Sequence, residues 1–372
     1  MDFIDLSAQQ KIIREKIEKR IIDVLDHGQY VMGPEVFQLE EKLKSYVDVK
    51  HCISCSSGTD ALLIPLMAKG IGPGDAVITT SFSYIATAEV IALLGATPIF
   101  CDIYPRTFNL DPNGLEQAYN KAVIEGLKPK AIISVDLFGL PARYRLIDEF
   151  AKIKNLFLLE DAAQGFGGKI GKQKVGTFGD VSSTSFFPAK PLGGYGDGGA
   201  IFTNNDELAK IMKSIRVHGG GGDKYENIRL GINGRLDTLQ AAILIEKFAI
   251  FENELIIRNK IANRYTNNLN SNFITPIVPR NYYSSWAQYS LILKNKKSRS
   301  RLIELLNENK IPSMIYYKTP LHLQKVFKYL NYTKGDMPTS EKIANLVLSL
   351  PMHPYLKKTD QDFIINKLNA FS

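Results

Sequence analysis

From about residue 50, short apolar runs alternate with segments whose apolar residues recur at helical spacing. HCISC precedes GTDALLIPLMAKG, DAVITT precedes YIATAEVIALLG, and the runs TPIFCDI, AIISVDLF and LFLLEDA are separated by stretches such as LIDEFAKIK. Short β-rich runs alternating with helical ones predict βαβ units and a mostly parallel sheet covered on both faces, a doubly wound α/β fold. Turn residues punctuate the joints at Gly72-Pro73-Gly74-Asp75 and Gly139-Leu140-Pro141. Near residue 235 the pattern changes: 236–268 reads as one long helix with Leu236, Leu239, Ala242, Ile243 and Ile250 on one face. A strand (AQYSLIL), a helix (SRSRLIELLNEN), a Pro-punctuated segment (IPSMIYYKTPLHLQ) and two helical patterns follow. The expected division is a large domain over 1–245, N-terminal helix included, and a small C-terminal α/β domain over 246–372.

The composition, 45% apolar and 23% charged over 372 residues, excludes disorder and fibrous structure. The longest apolar stretch, VIALLGATPIFC at 90–101, is too short to cross a bilayer, so no membrane association is expected. Asp2 and Asp5 stand where a secretory signal would be positive, which predicts a cytoplasmic location. Cys52, Cys55 and Cys101 are too few for a disulfide framework and are expected to be reduced. Cys52 and Cys55 have redox-motif spacing but fall inside a strand run, which favours a structural role. A net charge of +8 points to an anionic partner. The basic residues are scattered, no nucleic-acid motif is present, and the run KNKKSRSR at 294–301 reads as a solvated turn entering a helix. A phosphorylated or nucleotide-linked metabolite fits this charge better than a nucleic acid.

In open α/β sheets ligands bind outside the carboxyl ends of the strands, so polar residues just after apolar runs are the candidates. Ser56-Ser57-Gly58-Thr59-Asp60 follows CISC and opens a helix; it suits a phosphate held by free N–H groups, or an ordinary helix cap. Leu158-Leu159-Glu160-Asp161-Ala162-Ala163-Gln164 ends a buried strand in two acids. With no ligand cluster nearby to hold a metal, Asp161 best suits a cationic ligand group. Ser185-Phe186-Phe187-Pro188-Ala189-Lys190 leads into a glycine-rich stretch at 193–199 that precedes a strand, so it is neither a Walker loop nor a dinucleotide fingerprint. Lys190 there is a candidate imine-forming amine. A phosphate cradle, a carboxylate for a ring cation and such a lysine together meet the needs of pyridoxal 5'-phosphate.

On the segments GQYVMGPEV, SSGTDAL, EDAAQGFGG, SFFPAK, GDGGA and LSLPMHPYL, the chain resembles the DegT/DnrJ/StrS family of sugar aminotransferases over nearly its full length. The resemblance implies a fold-type I (aspartate aminotransferase-like) PLP-dependent transferase, a homodimer with shared active sites and no metal. By motif position it implies that Lys190 forms the internal aldimine and moves the proton, and that Asp161 pairs with the pyridine nitrogen. Gln164 would bond the ring hydroxyl, with Ala163 on one ring face and Tyr84 on the other. Gly58, Thr59 and Ser185 would hold the phosphate, joined by Asn233 and Arg235 from the partner subunit. Arg235 is equally a candidate for a donor or substrate carboxylate, and His218, Tyr316, Tyr317, Lys318 and His322 are candidates for substrate contact.

Within the family, GRLDTLQAAIL, AQY and SLPMHPYL are most similar to enzymes aminating UDP-2-acetamido-2-deoxy-3-oxo-glucuronate for surface polysaccharides such as the O-antigen of lipopolysaccharide. The implied donor is L-glutamate and the implied acceptor a UDP- or dTDP-linked keto sugar. A 4-keto-6-deoxy acceptor and a regulatory protein of PLP fold without turnover are the competing readings. The family's dehydratases, which carry histidine at the lysine position, are disfavoured by Lys190. Tyr316-Tyr317 stands where some glucuronate-type relatives have His-Tyr, and Pro191 and Gly194 depart from a loop often written with Asn or Cys.

Overall fold

The computed structural model describes residues 1–223 and 225–371. The apolar runs form a seven-stranded sheet in the order His51–Cys55, Gly199–Thr203, Val181–Ser185, Phe157–Asp161, Lys128–Val135, Asp75–Thr80, Thr97–Cys101. Five of these strands pair parallel, whereas Gly199–Thr203 runs antiparallel to both neighbours. The strands are buried on both faces, which is why their sequences read as continuous apolar runs rather than alternating ones. Ile64, Leu66, Ile91 and Met212 come from helices on one face, while Leu115, Ala118, Ile147 and Ala151 come from helices on the other.

Helix starts follow their caps. Asp5, Ser57, Asn205 and Asn295 each accept a backbone N–H from the first turn of the helix they open. The helix Thr238–Asn268 runs 31 residues without a break, so residue 245, the expected boundary, lies inside it. Its first half (Ala241, Leu244, Phe251, Leu255) packs with Val36, Leu39 and Phe202. Its second half (Ile261, Ala262, Tyr265) packs with the antiparallel pair Tyr289–Ile292 and Val347–Leu350. A helix buried along different sides in its two halves shows no single stripe.

The C-terminal elements are tied to the sheet's ligand-side rim. Asp102, just after Thr97–Cys101, accepts from Thr339 N (2.8 Å), Ser340 N (2.9 Å) and Ser340 Oγ (2.7 Å), capping the helix Pro338–Leu346 from another part of the chain. Ser81 Oγ lies 2.6 Å from Ser340 Oγ. The basic run at 294–301 departs from a wholly solvated turn. Arg299 is buried and donates to the carbonyls of Ala344 and Val347. All three thiols are free and buried, and burial pushes each up out of the reactive range. No helix among the described residues is long and apolar enough to cross a membrane.

Candidate active site

The strand Phe157–Asp161 delivers Asp161 to the carboxyl edge of the sheet, buried. Oδ2 accepts from Thr87 Oγ1 (2.8 Å) and Oδ1 from Ala163 N (3.2 Å). Thr87 in turn lies 3.2 Å from Ser83 Oγ. Burial raises the carboxyl above its ordinary range, and the two hydrogen bonds and the charge of Lys190 oppose this. A buried carboxylate of this kind is held in place and, among the described residues, has no cation of its own within 4.0 Å, which is what a ring cation requires.

Lys190 sits in the loop between Val181–Ser185 and Gly199–Thr203, its N–H bonded to Phe187 O at 2.9 Å. Among the described residues, Nζ has no hydrogen bond or ion pair. Burial lowers its pKa, with Asp161 pulling partly the other way, which is the direction that favours a nucleophilic amine.

Gly58 and Ser185 meet. A Cβ on Gly58 would lie 2.5 Å from Ser185 Cβ and 2.8 Å from its Oγ, so only glycine fits. Ser57 caps the helix Gly58–Ala68 through Asp60 N (3.0 Å), and the N–H groups of Gly58 and Thr59, at the first turn, have no helical acceptor upstream. Free N–H groups, the positive end of a helix and a serine hydroxyl at 8% exposure form an anion cradle. Cradle, unpaired amine and buried carboxylate are the donor set that pyridoxal phosphate needs.

Gln164 is buried beside Asp161. Its Oε1 accepts from Phe138 N (2.7 Å) and its Nε2 donates to Tyr317 OH (3.2 Å). Tyr317 packs against Phe82, with ring centroids 5.9 Å apart, and burial pushes its hydroxyl well up, so it stays a neutral donor. Tyr84, 56% exposed, is close enough to Tyr317 to act on it electrostatically, and Ala163 is half-buried. Tyr316 packs against Tyr317 and Phe3, and Lys318 is exposed.

The remaining candidates are not gathered there. Asn233, Gly234 and Arg235 run past the phosphate-side loop, where Ser56 N donates to Gly234 O (3.0 Å). No side-chain bond joins Asn233 or Arg235 to the Asp161 cluster. His218 is exposed, with its carbonyl held by Asn227 Nδ2 (2.8 Å). His322, expected to contact substrate, is 1% exposed, lies 3.1 Å from Glu341 Oε1 and packs edge-on to Tyr332. Buried there, the ring bonds within the protein rather than facing the Asp161 cluster. Thr87 and Ser83 were missed, though SFSYIATAEV, with hydroxyls four apart after an apolar strand, carries the signal for both. No group of three His, Cys, Asp or Glu side chains able to hold a metal occurs among the described residues.

Along residues 11–369 the chain matches the DegT/DnrJ/EryC1/StrS aminotransferase family. A Pseudomonas aeruginosa protein named UDP-2-acetamido-2-deoxy-3-oxo-D-glucuronate aminotransferase is 46% identical over 357 residues, 96% of each chain. A pleiotropic regulatory protein of Geobacillus stearothermophilus is 42% identical over 372 residues, 99% of this chain and 97% of that one. A solved DegT DnrJ EryC1 StrS aminotransferase from Brucella abortus superposes with a TM-score of 0.96 at 49% identity, covering 100% of this chain and 99% of its own. NtdA of Bacillus subtilis, solved with bound cofactor PMP, gives a TM-score of 0.88 at 30% identity, covering 98% of this chain and 82% of its own.

Proposed function

Because the chain belongs to the DegT/DnrJ/EryC1/StrS aminotransferase family, whose cofactor is pyridoxal phosphate, we propose that it moves the amino group of L-glutamate to a sugar nucleotide. The favoured acceptor is a UDP-linked 2-acetamido sugar with a ketone at ring carbon 3, the glucuronate first. The observation that carries this choice is the 46% identity, along 96% of both chains, to the Pseudomonas relative whose name states that substrate. Bound pyridoxal phosphate supplies an aldehyde that condenses with amines and a ring that takes up the electron pair left when a C–H bond breaks.

This chain's residues supply the rest. The first-turn N–H groups of Gly58 and Thr59, with Ser185 Oγ, bind the phosphate and fix the ring's position. Asp161, held by Thr87 and Ala163, would meet the ring's cationic nitrogen, and Gln164, held by Phe138 N and Tyr317, would meet its hydroxyl. Ala163 and Tyr84 flank the ring. Lys190 Nζ would hold the cofactor at its aldehyde and would be the group that moves the proton between carbons. The bound cofactor would carry the amino group from glutamate, released as 2-oxoglutarate, to the keto sugar, so one lysine would serve both halves.

Asn233 and Arg235 are assigned to the neighbouring subunit's site in a homodimer. Arg235, with His218, Lys318 and the tyrosines Tyr316 and Tyr317, is assigned to the acceptor's diphosphate and carboxylate, for which an arginine fork suits a carboxylate. We place the reaction in the cytoplasm, supplying an amino sugar for surface polysaccharide such as O-antigen. The regulatory name of the Geobacillus relative favours a second reading, a protein without turnover. Lys190, Asp161 and Gln164 all stand in this chain, which supports turnover.

The deciding experiment offers the protein, with glutamate, a 3-keto glucuronate generated in situ and a 4-keto-6-deoxy sugar nucleotide, and follows amination by mass spectrometry. Amination of the 3-keto compound is expected. Efficient amination of the 4-keto compound alone would overturn the choice of carbon, and no amination with any keto sugar would overturn the enzyme reading.

A further inference from the structure

Two buried acids behind Asp161 have no place in the mechanism above. Asp136 follows the strand Lys128–Val135 and Glu160 precedes Asp161, and both are 0% exposed. Each has one oxygen fully engaged. Asp136 Oδ1 accepts from Ala142 N (2.9 Å) and Tyr144 OH (2.8 Å), and Glu160 Oε2 accepts from Gly176 N (3.0 Å) and Phe178 N (3.1 Å). The remaining oxygens, Asp136 Oδ2 and Glu160 Oε1, have no hydrogen-bond partner among the described residues, and the Ser182 hydroxyl, itself without a partner there, is the one side-chain donor that reaches toward Glu160. The two acids stand at the ends of neighbouring paired strands, and Tyr144, which holds Asp136, stacks at 4.4 Å between ring centroids on Phe178, whose N–H holds Glu160, so the two carboxyl groups share one buried site.

Two bare carboxylate oxygens cannot face one another in a dry interior, because burial and mutual repulsion both penalise the second charge. No lysine or arginine among the described residues pairs with either acid. A proton between Oδ2 and Oε1 satisfies both. We propose that Asp136 and Glu160 are a proton-sharing carboxyl pair that positions Asp161 and keeps the charge behind it from reaching two negative units.

The positioning is visible in the backbone. Asp136 N donates to Asp161 O (3.0 Å), and Gly165 lies so close to Asp136 that a Cβ there would stand 2.4 Å from the Asp136 Cβ. The pair therefore braces the 161–165 turn that carries Asp161, Ala163 and Gln164. The ionisable groups facing it are Asp161 at the strand end, Tyr144 of the helix Tyr144–Lys154 and Tyr282. None of these is a cation that could replace the proton. Burial raises both acids above the ordinary carboxyl range, in the direction the geometry demands.

In the unfolded chain both acids ionise near pH 4, so folding takes up at least one proton above that pH. The test compares wild type with Asp136→Asn/Glu160→Gln, in which two amides replace the pair. Between about pH 5 and 7 the folding equilibrium constant of wild type should fall, relative to the double variant, about tenfold per pH unit. Parallel stability curves would overturn the shared proton. Should the double variant not fold, infrared spectroscopy of the wild type alone decides. A protonated-carboxyl C=O stretch at neutral pH that vanishes at alkaline pH is expected, and its absence overturns the proposal.

The positioning role rests on the aminotransferase reading and is tested separately. Asp136→Ala should lower kcat by about tenfold or more with the glutamate KM nearly unchanged, and Asp136→Asn, which keeps the shape, should restore most of it. An unchanged kcat, or equal losses in both variants, would overturn the positioning role without touching the shared proton.

Discussion

The centre around Asp161 and the rim at residues 217–235 are built in opposite ways. At the centre the polar side chains around Lys190 have partners from other elements, Thr87 for Asp161 and Tyr317 and Phe138 N for Gln164, and only the amine itself is left unpaired among the described residues. Along the rim the side chains project, with His218 exposed, Ile228 at 55% and Leu230 at 89% exposure, and the bonds that hold the segment are mostly backbone ones. A centre whose acid and amide are braced internally can fix the geometry of a general reaction. A rim of exposed apolar and cationic groups gains definition only from what docks on it, which is why the proposed substrate contacts are assigned there.

The hardest blow to this contrast comes at Lys190. Lys190→Ala should abolish conversion of glutamate to 2-oxoglutarate, a loss of roughly 10⁴-fold or more, and the absorbance of lysine-bound cofactor with it. Retained turnover would mean that the centre has been misplaced. Asp161→Asn keeps the shape but not the charge, so kcat should drop by about 10²–10³-fold while the circular dichroism spectrum is unchanged. An unaltered kcat would remove Asp161 from the chemistry.

The rim responds differently. Arg235→Ala should raise the KM for the sugar nucleotide by about 10- to 100-fold, the loss of one or two charge-assisted hydrogen bonds. Mixing it with Lys190→Ala should restore part of the activity through hybrid dimers. No recovery, with hybrids shown to form, would place Arg235 in its own subunit's site. Thr87→Val sharpens the contrast from inside: deleting one of the bonds to Asp161 should cost about tenfold in kcat and little in KM. An effect on KM alone would make Thr87 a binding residue instead.

The smallest effect is a matter of stability. Burial lowers the pKa of His322, against a partial pull from Glu341, so the folded state prefers the ring neutral. A depressed histidine gives stability that is present above its unfolded value, about 6.5, and is lost as pH falls through the folded one. His322→Gln should unfold at a slightly lower temperature than wild type at pH 8, with the gap closing below about pH 6 and with turnover unchanged. A gap that widens in acid would reverse the sign of the shift.

Much of the centre was legible because its parts are local. Asp161, Ala163 and Gln164 follow one apolar strand run, Gly58 and Thr59 open a helix, and Lys190 stands between a strand and a glycine stretch. The alternation of apolar runs gave the parallel sheet for the same reason, since a strand buried on both faces leaves a mark in five residues. What stayed hidden depends on long-range partners. Gln164 and Tyr317 are 153 residues apart, and the burial of His322, five residues beyond Tyr317, against Glu341 has no mark in the local sequence. The helix Thr238–Asn268 gave a face only for its first turns because it changes neighbours midway.

Asp102 gives the last lesson, about how the molecule can come apart. Its carboxylate, at the end of the outermost parallel strand, accepts three hydrogen bonds from Thr339 and Ser340, more than two hundred residues downstream. Melting the C-terminal helices would strip these donors from a carboxylate on the same sheet edge that carries the catalytic groups. The two ends of the chain should therefore lose structure in one cooperative step. A shortened chain that stops before Pro338 would not behave as a catalytic core missing an accessory, because the cut would pass through a joint on which the core's own edge depends.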